Sequence, residues 1–204
     1  MPDPARYPVP ARAHRAEHVV RRSRFVTTLA RAADPAEAQA FVRRIREEHP
    51  DATHHCWAFV AGPPGSTSHI GMSDDGEPHG TAGRPMLTAL LHSGVGEIVA
   101  VCSRWFGGVK LGTGGLSRAY ADSVKLALAS LPTVERVERS AVVVSVPYAQ
   151  VDALGRLVEE HDGRVESEDY GERVTWRVAV PSPALEAFTS AAARLGNGAR
   201  VAPG

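Results

Sequence analysis

One glycine-rich stretch organises the chain: Arg104-Trp105-Phe106-Gly107-Gly108-Val109-Lys110-Leu111-Gly112-Thr113-Gly114-Gly115. It follows an apolar run at residues 98–102 and precedes apolar residues at helical spacing from Leu116 onward. A strand that enters a glycine-rich turn before a helix can gather backbone N–H groups around an anion. The stretch therefore predicts a strand, a turn and a helix entrance, with the capacity to bind an anion.

A second unusual segment lies upstream, Ser73-Asp74-Asp75-Gly76-Glu77-Pro78-His79-Gly80-Thr81-Ala82-Gly83-Arg84-Pro85. Pro85 suits the first turn of a helix, which predicts a helix over about residues 84–92. Carboxylates in a tight turn are acceptable ligands for Mg²⁺. They can instead form a solvated turn that caps the next element. They can also pair with cations and so fix the two loops against each other, the candidates being Arg84, Arg104 and Lys110. We favour ion pairing, predict no metal site, and assign to the facing loop Asp74, Asp75, Glu77, Thr81 and Arg84.

The glycine-rich stretch carries a lysine but matches none of the usual nucleotide-binding motifs. In the P-loop pattern the lysine follows the last glycine, whereas Lys110 precedes Gly112. The dinucleotide pattern started at Gly112 needs a glycine where Ser117 stands. What remains is a helix N-terminus beside cations, which suits phosphate. The alternative is that the glycines only supply left-handed turns and close packing.

The predicted anion- or nucleic-acid-binding residues are Arg104, Trp105, Phe106, Gly107, Gly108, Lys110, Gly112, Thr113, Gly114, Gly115 and Arg118. In this hypothesis the three cations contact phosphate, and the glycines let the backbone approach it. Trp105 and Phe106 are included because aromatic side chains beside arginine stack on bases. Packing in the core is the open alternative for both aromatics.

Composition limits the classes of protein that remain. The 204 residues carry 23 Lys and Arg against 23 Asp and Glu, so nucleic-acid binding must come from a local patch. No apolar stretch approaches the roughly 18 residues of a membrane span. Residues 1–15 are rich in Pro, Ala and Arg without an apolar core, unlike a secretory signal. We therefore predict a cytoplasmic protein.

The thiols and histidines do not predict a reactive or metal-binding site. Cys56 and Cys102 each lie in an apolar, strand-like run, which indicates a reduced and buried pair. His54 and His55 are adjacent, so they point to opposite faces of a strand and do not readily share one ion. A thiol nucleophile at Cys56 would need a partner that the sequence does not place. We predict neither a zinc site nor thiol catalysis, and no cofactor.

Periodicity predicts an α+β protein of two domains. The first domain has predicted strands at residues 18–30, 54–60, 69–72 and 97–103, and helices beginning at Asp34, Arg84 and Leu116. The second has predicted strands at 135–146, 164–170, 173–180 and 199–201, with helices from Pro147 and over 183–195. Strand–helix–strand–strand–helix–strand is the ferredoxin-like order. The predicted boundaries are a flexible lead-in at 1–15, a first domain at 16–131 and a second at 132–204.

The two loops together closely resemble the signature of the YigZ/IMPACT family. The resemblance rests on residues 73–85, on residues 104–116, and on Arg118-Ala119-Tyr120. Supporting matches are Ser23-Arg24-Phe25 and Ala52-Thr53-His54 with Cys56-Trp57-Ala58. These motifs cover about residues 15–130. The second domain is similar to that of bacterial YigZ proteins by the order of its elements.

The resemblance implies a fold for each domain. The N-terminal domain is expected to be like the second domain of ribosomal protein S-five. The C-terminal domain is expected to be ferredoxin-like and similar to domain V of elongation factor G. The family's eukaryotic members are translational regulators, and ribosome or nucleic-acid binding by the bacterial members is an inference from fold.

Our prediction from sequence is a binding protein of translation rather than an enzyme. The expected partner is the ribosome, structured RNA or a translation-associated protein, with no membrane partner and with an oligomeric state that the sequence does not fix. The alternative is an enzyme in which the glycine loop and the facing carboxylates position a phosphoryl group with Mg²⁺. A third possibility is a protein-binding adaptor that uses Trp105 and Phe106 as its anchor.

Overall fold

The computed structural model of the chain describes residues 6–196 and 199–204. The chain divides into two compact units, Tyr7–Arg136 and Val137–Gly204, with Arg6 belonging to the second. The sequence placed this boundary slightly earlier, at residue 131. The predicted α+β class is confirmed, because each unit combines an antiparallel sheet with helices.

The N-terminal unit is built on an antiparallel five-stranded sheet in the order β2-β3-β6-β4-β5, and a separate ribbon joins β1 to β7. Its elements are, in chain order, β1 (Arg6–Pro10), β2 (His14–Val20), β3 (Ser23–Arg31), α1 (Pro35–Glu48), β4 (His54–Val60), β5 (Ile70–Ser73), α2 (Gly83–Leu91), β6 (Ile98–Trp105), α3 (Gly112–Ala129) and β7 (Thr133–Val137).

Helices cover both faces of this sheet. On one face α1 packs through Phe41 and Ile45 in a buried cluster with Val99 and Val101 of β6. On the other face α2 and α3 share a larger cluster with β3, β4 and β6, in which Tyr120 is fully buried. Strand β6 is therefore apolar on both faces, as expected for a central strand covered on both sides.

The predicted start of α1 is confirmed. The Asp34 carboxylate accepts a 2.8 Å hydrogen bond from the Glu37 N–H, and Pro35 occupies the first turn. The Glu37 carboxylate accepts the N–H of Ala33 at 2.8 Å, one residue before the position that a capping box uses. Local sequence thus fixes where this helix begins.

Three sequence predictions for the N-terminal unit were wrong. The predicted flexible lead-in is structured over residues 6–15: it contains β1 and the start of β2, and Tyr7 and Val9 are buried. The predicted single strand at 18–30 is a hairpin, β2 and β3, joined by the two-residue turn Arg21-Arg22. The helix predicted from Leu116 begins one turn earlier, at Gly112.

The C-terminal unit contains a four-stranded antiparallel sheet in the order β11-β8-β10-β9, which is the ferredoxin-like arrangement. The predicted strand at 135–146 is split into β7 and β8, because residue 138 interrupts it. The remaining elements are β8 (Arg139–Val146), α4 (Val151–Glu160), β9 (Arg164–Tyr170), β10 (Val174–Pro181), α5 (Leu185–Ala193) and β11 (Arg200–Pro203).

The core of this second unit lies between the sheet and its two helices. Leu154 of α4 and Phe188 of α5 are fully buried in one cluster with Val144 of β8 and Val178 of β10. Among the described residues, no helix of either unit has the length and apolar character needed to cross a membrane.

Candidate functional site

The N-terminus of α3 forms one edge of the candidate site. The helix begins at Gly112, and its N-cap residue Leu111 supplies no side-chain hydrogen bond. The first turn contains no acidic residue, and Gly112, Thr113 and Gly114 are exposed. The first N–H groups of a helix lack intrahelical partners and carry a partial positive charge. The predicted helix entrance is therefore present and open to solvent, with the glycines inside the first turn rather than before it.

The loop before α3 is held against the β2–β3 turn by Gly107. A Cβ atom at Gly107 would lie 2.0 Å from the backbone carbon of Arg22 and 2.2 Å from its oxygen. The Gly107 N–H donates to Ser23 Oγ at 3.2 Å. Any other side chain at position 107 would push these two segments apart. The glycine is required by this close approach of two backbones.

The β2–β3 turn brings two more arginines to the same edge. Arg21 and Arg22 are both exposed and both have positive φ, 45° and 68°, the backbone of a type I′ turn. Arg21 and Arg118 line a hollow of about 280 Å³ against Leu111 and Gly115 at the start of α3. His18 and Asp122 also line this hollow. A strained turn that carries two arginines is the kind of local feature that accompanies function.

We call this surface the cationic entrance and define it as Arg21, Arg22, Lys110 and Arg118 around the first turn of α3. All four side chains are exposed, and none forms an ion pair within the described part of the chain. Like charges without partners repel one another and attract anions. The arrangement is therefore suited to a ligand with several negative charges.

Arg104 does not belong to the cationic entrance, although the sequence assigned it a phosphate contact. Its side chain is buried, with 5% of the residue exposed, and its Nη1 lies 2.5 Å from Oε1 of Glu77. The same Glu77 oxygen accepts the hydroxyl of Tyr120 at 2.7 Å. We call Glu77, Arg104 and Tyr120 the interior network. Arg104 lies on β6 and its guanidinium pairs with the buried Glu77 carboxylate, so the side chain stays inside the protein.

The facing carboxylates are all engaged in internal contacts. Asp74 accepts the N–H groups of Gly80, Ala82 and Gly83 at 2.7–2.9 Å and so caps the start of α2. Burial alone would raise the pKa of Asp74, but these three backbone donors outweigh it and hold the pKa below its usual value. The alternative that the acidic run caps the next element is thus confirmed for Asp74.

The other acid of the pair, Asp75, joins the acidic loop to the sheet and to α1. Its Oδ2 accepts the backbone N–H of His55 at 2.7 Å, and its Oδ1 pairs with Arg46. The predicted ion pairing between the two loops is thus confirmed for Glu77 with Arg104 alone. The described residues contain no group of three side chains suited to a metal ion.

Thr81 and Arg84 complete the predicted facing loop but do not face the entrance. The Thr81 hydroxyl is buried and donates to the carbonyl oxygen of Pro78 at 2.6 Å, which stabilises the turn before α2. Arg84 lies on α2 and is exposed, and no acidic partner is found for it among the residues that the structure describes. The five residues of the predicted facing loop therefore have different structural roles.

The two predicted stacking aromatics have different environments. Trp105 is half-buried: its indole N–H donates to Asp51 at 2.9 Å, and the Arg24 guanidinium lies 3.8 Å from its ring centre. His49 meets the same ring edge-on. Phe106 is 50% exposed, and the Arg104 guanidinium lies 5.8 Å from its ring centre. Packing therefore accounts for Trp105, whereas the exposed half of Phe106 remains available for stacking.

The prediction of a reduced, buried cysteine pair is confirmed. Cys56 and Cys102 are both free and buried, and they lie opposite each other on β4 and β6. Burial raises the pKa of Cys102 to about 11 and raises that of Cys56 further above its ordinary range. Both groups are thiols at neutral pH, so neither is a ready nucleophile or metal ligand.

Arg21 and Arg22 are the site residues that the sequence analysis missed. The run Arg21-Arg22-Ser23-Arg24 lies within residues 18–30, which the sequence analysis assigned to one continuous strand. A break of the apolar pattern between Val20 and Phe25 is the signal that marks a hairpin turn there. The turn, once recognised, places both arginines at the end of the sheet that also carries residues 105–112.

Fold and site define a class: a two-unit α+β protein whose N-terminal unit presents a cationic helix entrance and whose C-terminal unit is ferredoxin-like. Family models match both parts, the Impact N-terminal domain over residues 21–128 and a domain of unknown function, DUF1949, over residues 144–199. The chain belongs to the IMPACT family, and the resemblance noted in the sequence is confirmed.

Relatives in several bacteria are similar over most of their length. The chain is 44% identical to the IMPACT family member YigZ of Escherichia coli, over 88% of each protein. It is 41% identical to an IMPACT family member of Haemophilus influenzae, over 91% of this chain and 90% of the relative. A solved structure titled as that of a hypothetical protein shares 40% identity and a TM-score of 0.71, covering 98% of this chain and 97% of the other.

Proposed function

We propose that this protein binds RNA, as part of the ribosome or as free structured RNA, through phosphate contacts at the cationic entrance. The observation that carries the proposal is four exposed cations around a helix N-terminus that lacks a side-chain cap, with no ion pair to any of the four among the residues that the structure describes. The overall charge is balanced, so this local excess stands out against a neutral background. The proposal also places the protein in the cytoplasm.

The chemistry of the entrance suits a phosphate backbone. Exposed Gly112 and Gly114 leave the backbone N–H groups of the first turn open to a close approach, and the Thr113 hydroxyl is exposed beside them. Arg21 and Arg118 lie on one side of this turn, and Lys110 precedes it. Charge-assisted bonds from arginine and lysine would hold successive phosphates, while the helix terminus would hold one.

Phe106 adds a contact that distinguishes RNA from inorganic phosphate. Its half-exposed ring lies in the same loop as Lys110, and Val109, between them in that loop, is 39% exposed. Base–aromatic stacking contributes about 1–3 kcal/mol per base. Trp105 is omitted from the proposed contact set because Arg24 already covers its ring. Arg104 is omitted because it is paired inside the protein.

The competing hypothesis of magnesium-dependent phosphoryl transfer has less support. It needs the carboxylates of the acidic loop to be available, but Asp74 caps α2, Asp75 binds β4 and Arg46, and Glu77 binds Arg104. Each would have to exchange a buried or capping contact for a metal ion. The protein-binding alternative predicts binding that persists at high salt and after nuclease treatment.

The test is co-sedimentation of the full-length protein with ribosomes at low and high salt, with and without nuclease. We expect binding that weakens steeply with salt, because phosphate contacts release counterions. Lys110→Glu and Arg118→Glu should each weaken it by about tenfold or more, since each replaces an attractive charge with a repulsive one. Arg43→Glu is the matched control, because Arg43 is an exposed arginine on α1 without an ion pair among the described residues.

Three outcomes would contradict the proposal. One is binding by the Lys110→Glu and Arg118→Glu variants with unchanged affinity and salt dependence. Another is a loss in Arg43→Glu as large as in these variants, which would show general attraction to basic surface. The third is binding that survives both nuclease and high salt, which would point to a protein partner.

A further inference from the structure

A groove of about 920 Å³ runs between α2 and α3 and is separate from the cationic entrance. Its volume lies within the range of small-molecule sites, which are mostly apolar clefts with a few placed polar groups. Each helix presents one stripe of residues to it, because positions 84 and 88 of α2 with the C-cap residue 92, and positions 121, 125 and 129 of α3, recur at helical spacing. The groove shares no lining residue with the entrance.

The floor of the groove is apolar and its rim is cationic. Buried or half-buried side chains form the floor, namely Pro85, Ala89, Val95, Ala121 and Leu128. The exposed side chains of Arg84 and Lys125 lie on opposite helices at the rim. Among the described residues no carboxylate lines the groove, although the chain as a whole carries as many acidic as basic residues.

The rim cations are available to a ligand. Arg84 has no ion pair within the described part of the chain. Lys125 Nζ lies 4.0 Å from Oδ1 of Asp122, with the two side chains 67% and 47% exposed, so water screens that pair. His92 also lines the groove, with its Nδ1 bonded to the Thr88 carbonyl oxygen at 2.8 Å.

We propose that this groove binds a small amphipathic anion, an apolar chain or ring that carries a carboxylate or phosphate group. The apolar part would lie on the floor between Ala89 and Leu128, where burial against apolar side chains is favourable. The anionic group would lie between Arg84 and Lys125. Charge complementarity selects this class over a neutral ligand, which would leave both cations unused, and over a cation, which both would repel.

The test uses a matched pair of fluorescent probes and the full-length protein. 1-Anilinonaphthalene-8-sulfonate is apolar and anionic, and N-phenyl-1-naphthylamine is its neutral counterpart. We expect saturable binding of the anionic probe at one site, at least about tenfold tighter than binding of the neutral probe. Decanoate should displace the anionic probe competitively.

Two kinds of variant separate the floor from the rim. The double variant Arg84→Glu/Lys125→Glu should lower the affinity for the anionic probe by about tenfold or more. It should lower the affinity for the neutral probe by less than about threefold. Ala121→Phe should lower the affinity for both probes, because the larger side chain occupies the space above the floor of the groove. Thr88→Trp fills the groove from an exposed position and serves the same purpose should Ala121→Phe fail to fold. Arg43→Glu is again the charge control.

Several results would overturn this inference. Equal affinity for the two probes would remove the role of the cations. Binding that persists in both Ala121→Phe and Thr88→Trp would place the probe elsewhere, as would an equal loss in Arg43→Glu. An absence of saturable binding of the anionic probe to the wild-type protein would show that the groove is not a site for this class of ligand. None of these results bears on RNA binding, because Lys110 and Arg118 are unchanged in every variant.

Discussion

The cationic entrance and the interior network both contain arginine side chains from the same stretches of sequence, yet their surroundings are opposite. Arg104 is buried and its guanidinium is bound to Glu77, which Tyr120 also contacts. Arg118 and Lys110, a few residues later, are exposed and have no ion pair among the residues described. One cation of the motif stabilises the protein, and the others are available to a ligand.

The difference shows how a motif of fixed sequence can combine two roles. The interior network joins β6, α3 and the acidic loop, because its three members come from these three segments. Arg104 lies two residues before the loop at residues 106–111, so we expect the network to hold the end of β6 from which this loop leaves the sheet. The cations of the entrance gather around the helix that follows the loop, so we expect their position to depend on the network. Substitutions in the interior network should therefore mainly affect stability, and substitutions in the cationic entrance should mainly affect binding.

The largest effect is expected for Glu77→Ala. Removing Glu77 leaves Arg104 charged, buried and unpaired, which should lower the free energy of unfolding by about 3–5 kcal/mol. The matched change is Glu48→Ala, since Glu48 pairs with Arg15 at 2.6 Å with both side chains more than 40% exposed. That exposed pair should contribute no more than about 1 kcal/mol. Guanidinium-induced unfolding of the three proteins measures both values.

Similar losses of unfolding free energy in Glu77→Ala and Glu48→Ala would contradict the distinction between the two regions, because Arg104 would then be as well solvated as an exposed arginine. Loss of RNA binding by a Glu77→Ala protein that remains folded would link the two regions. That result would mean that the interior network positions the entrance as well as stabilising the protein.

The second effect separates two glycines of the same stretch. Gly107→Ala forces a Cβ atom against the Arg22 backbone and should destabilise the protein by about 1–3 kcal/mol. Gly114→Ala meets no atom within 4 Å and lies in the first turn of α3. It should be neutral or stabilise the protein by up to about 1 kcal/mol, because alanine favours a helix.

Thermal unfolding measures both glycine variants side by side. We also expect Gly114→Ala to weaken RNA binding although it does not weaken the fold, since the methyl group lies where a phosphate would approach. A destabilised Gly114→Ala, or an undisturbed Gly107→Ala, would contradict the assignment of the first glycine to packing and the second to the site.

The third effect concerns the entrance alone. Lys110→Gln removes one proposed phosphate contact, so the slope of the logarithm of the binding constant against the logarithm of salt concentration should fall by about one. Stability should change by less than about 0.5 kcal/mol, because Lys110 is exposed and unpaired within the described residues. Filter binding across a salt series gives the slope, and Arg43→Gln should leave it unchanged. A slope that stays constant in Lys110→Gln would remove this residue from the contact set.

Much of the fold could be predicted from sequence where local signals suffice. The Asp34-Pro35 start of α1, the strand His54–Val60 and the ferredoxin-like order of the second unit each follow from capping, alternation or element order. The Arg21-Arg22 turn could not be found in the same way, because arginine is not a residue that usually marks a type I′ turn. Glycine or asparagine there would have shown the hairpin.

The site was predicted in part, for a physical reason that the comparison makes clear. The sequence identified the two loops and offered Arg104 as one of three candidate partners for the loop acids, but it did not show that pairing with Glu77 would bury Arg104. Burial depends on the face of β6 from which the side chain projects and on α3 lying above it. Those are properties of packing, and the cations themselves look alike in the sequence.

The smallest effect is the pH dependence that Asp74 gives to stability. Burial works in the opposite direction, but the N–H groups of Gly80, Gly83 and Ala82 hold the folded pKa of Asp74 below its value in the unfolded chain. A lowered folded pKa means that the stabilisation is fully present above the unfolded pKa, about 3.9, and is lost as pH falls through the folded pKa. Unfolding free energies of the wild type and Asp74→Asn, measured from pH 6 down to the acid limit of folding, should therefore converge as pH falls.

The control for the pH series is Glu47→Gln, an exposed carboxylate on α1 that is in no ion pair in the described part of the chain. It removes the same charge without removing a helix cap. A convergence of unfolding free energies that is seen with Asp74→Asn alone can therefore be assigned to the cap at the start of α2. A wild-type-to-Asp74→Asn difference that stays constant across the pH range would mean that the three N–H bonds do not favour the charged form. The acidic loop would then owe its position to Glu77 and Asp75 alone, and the interior network would have to hold both loops without the cap.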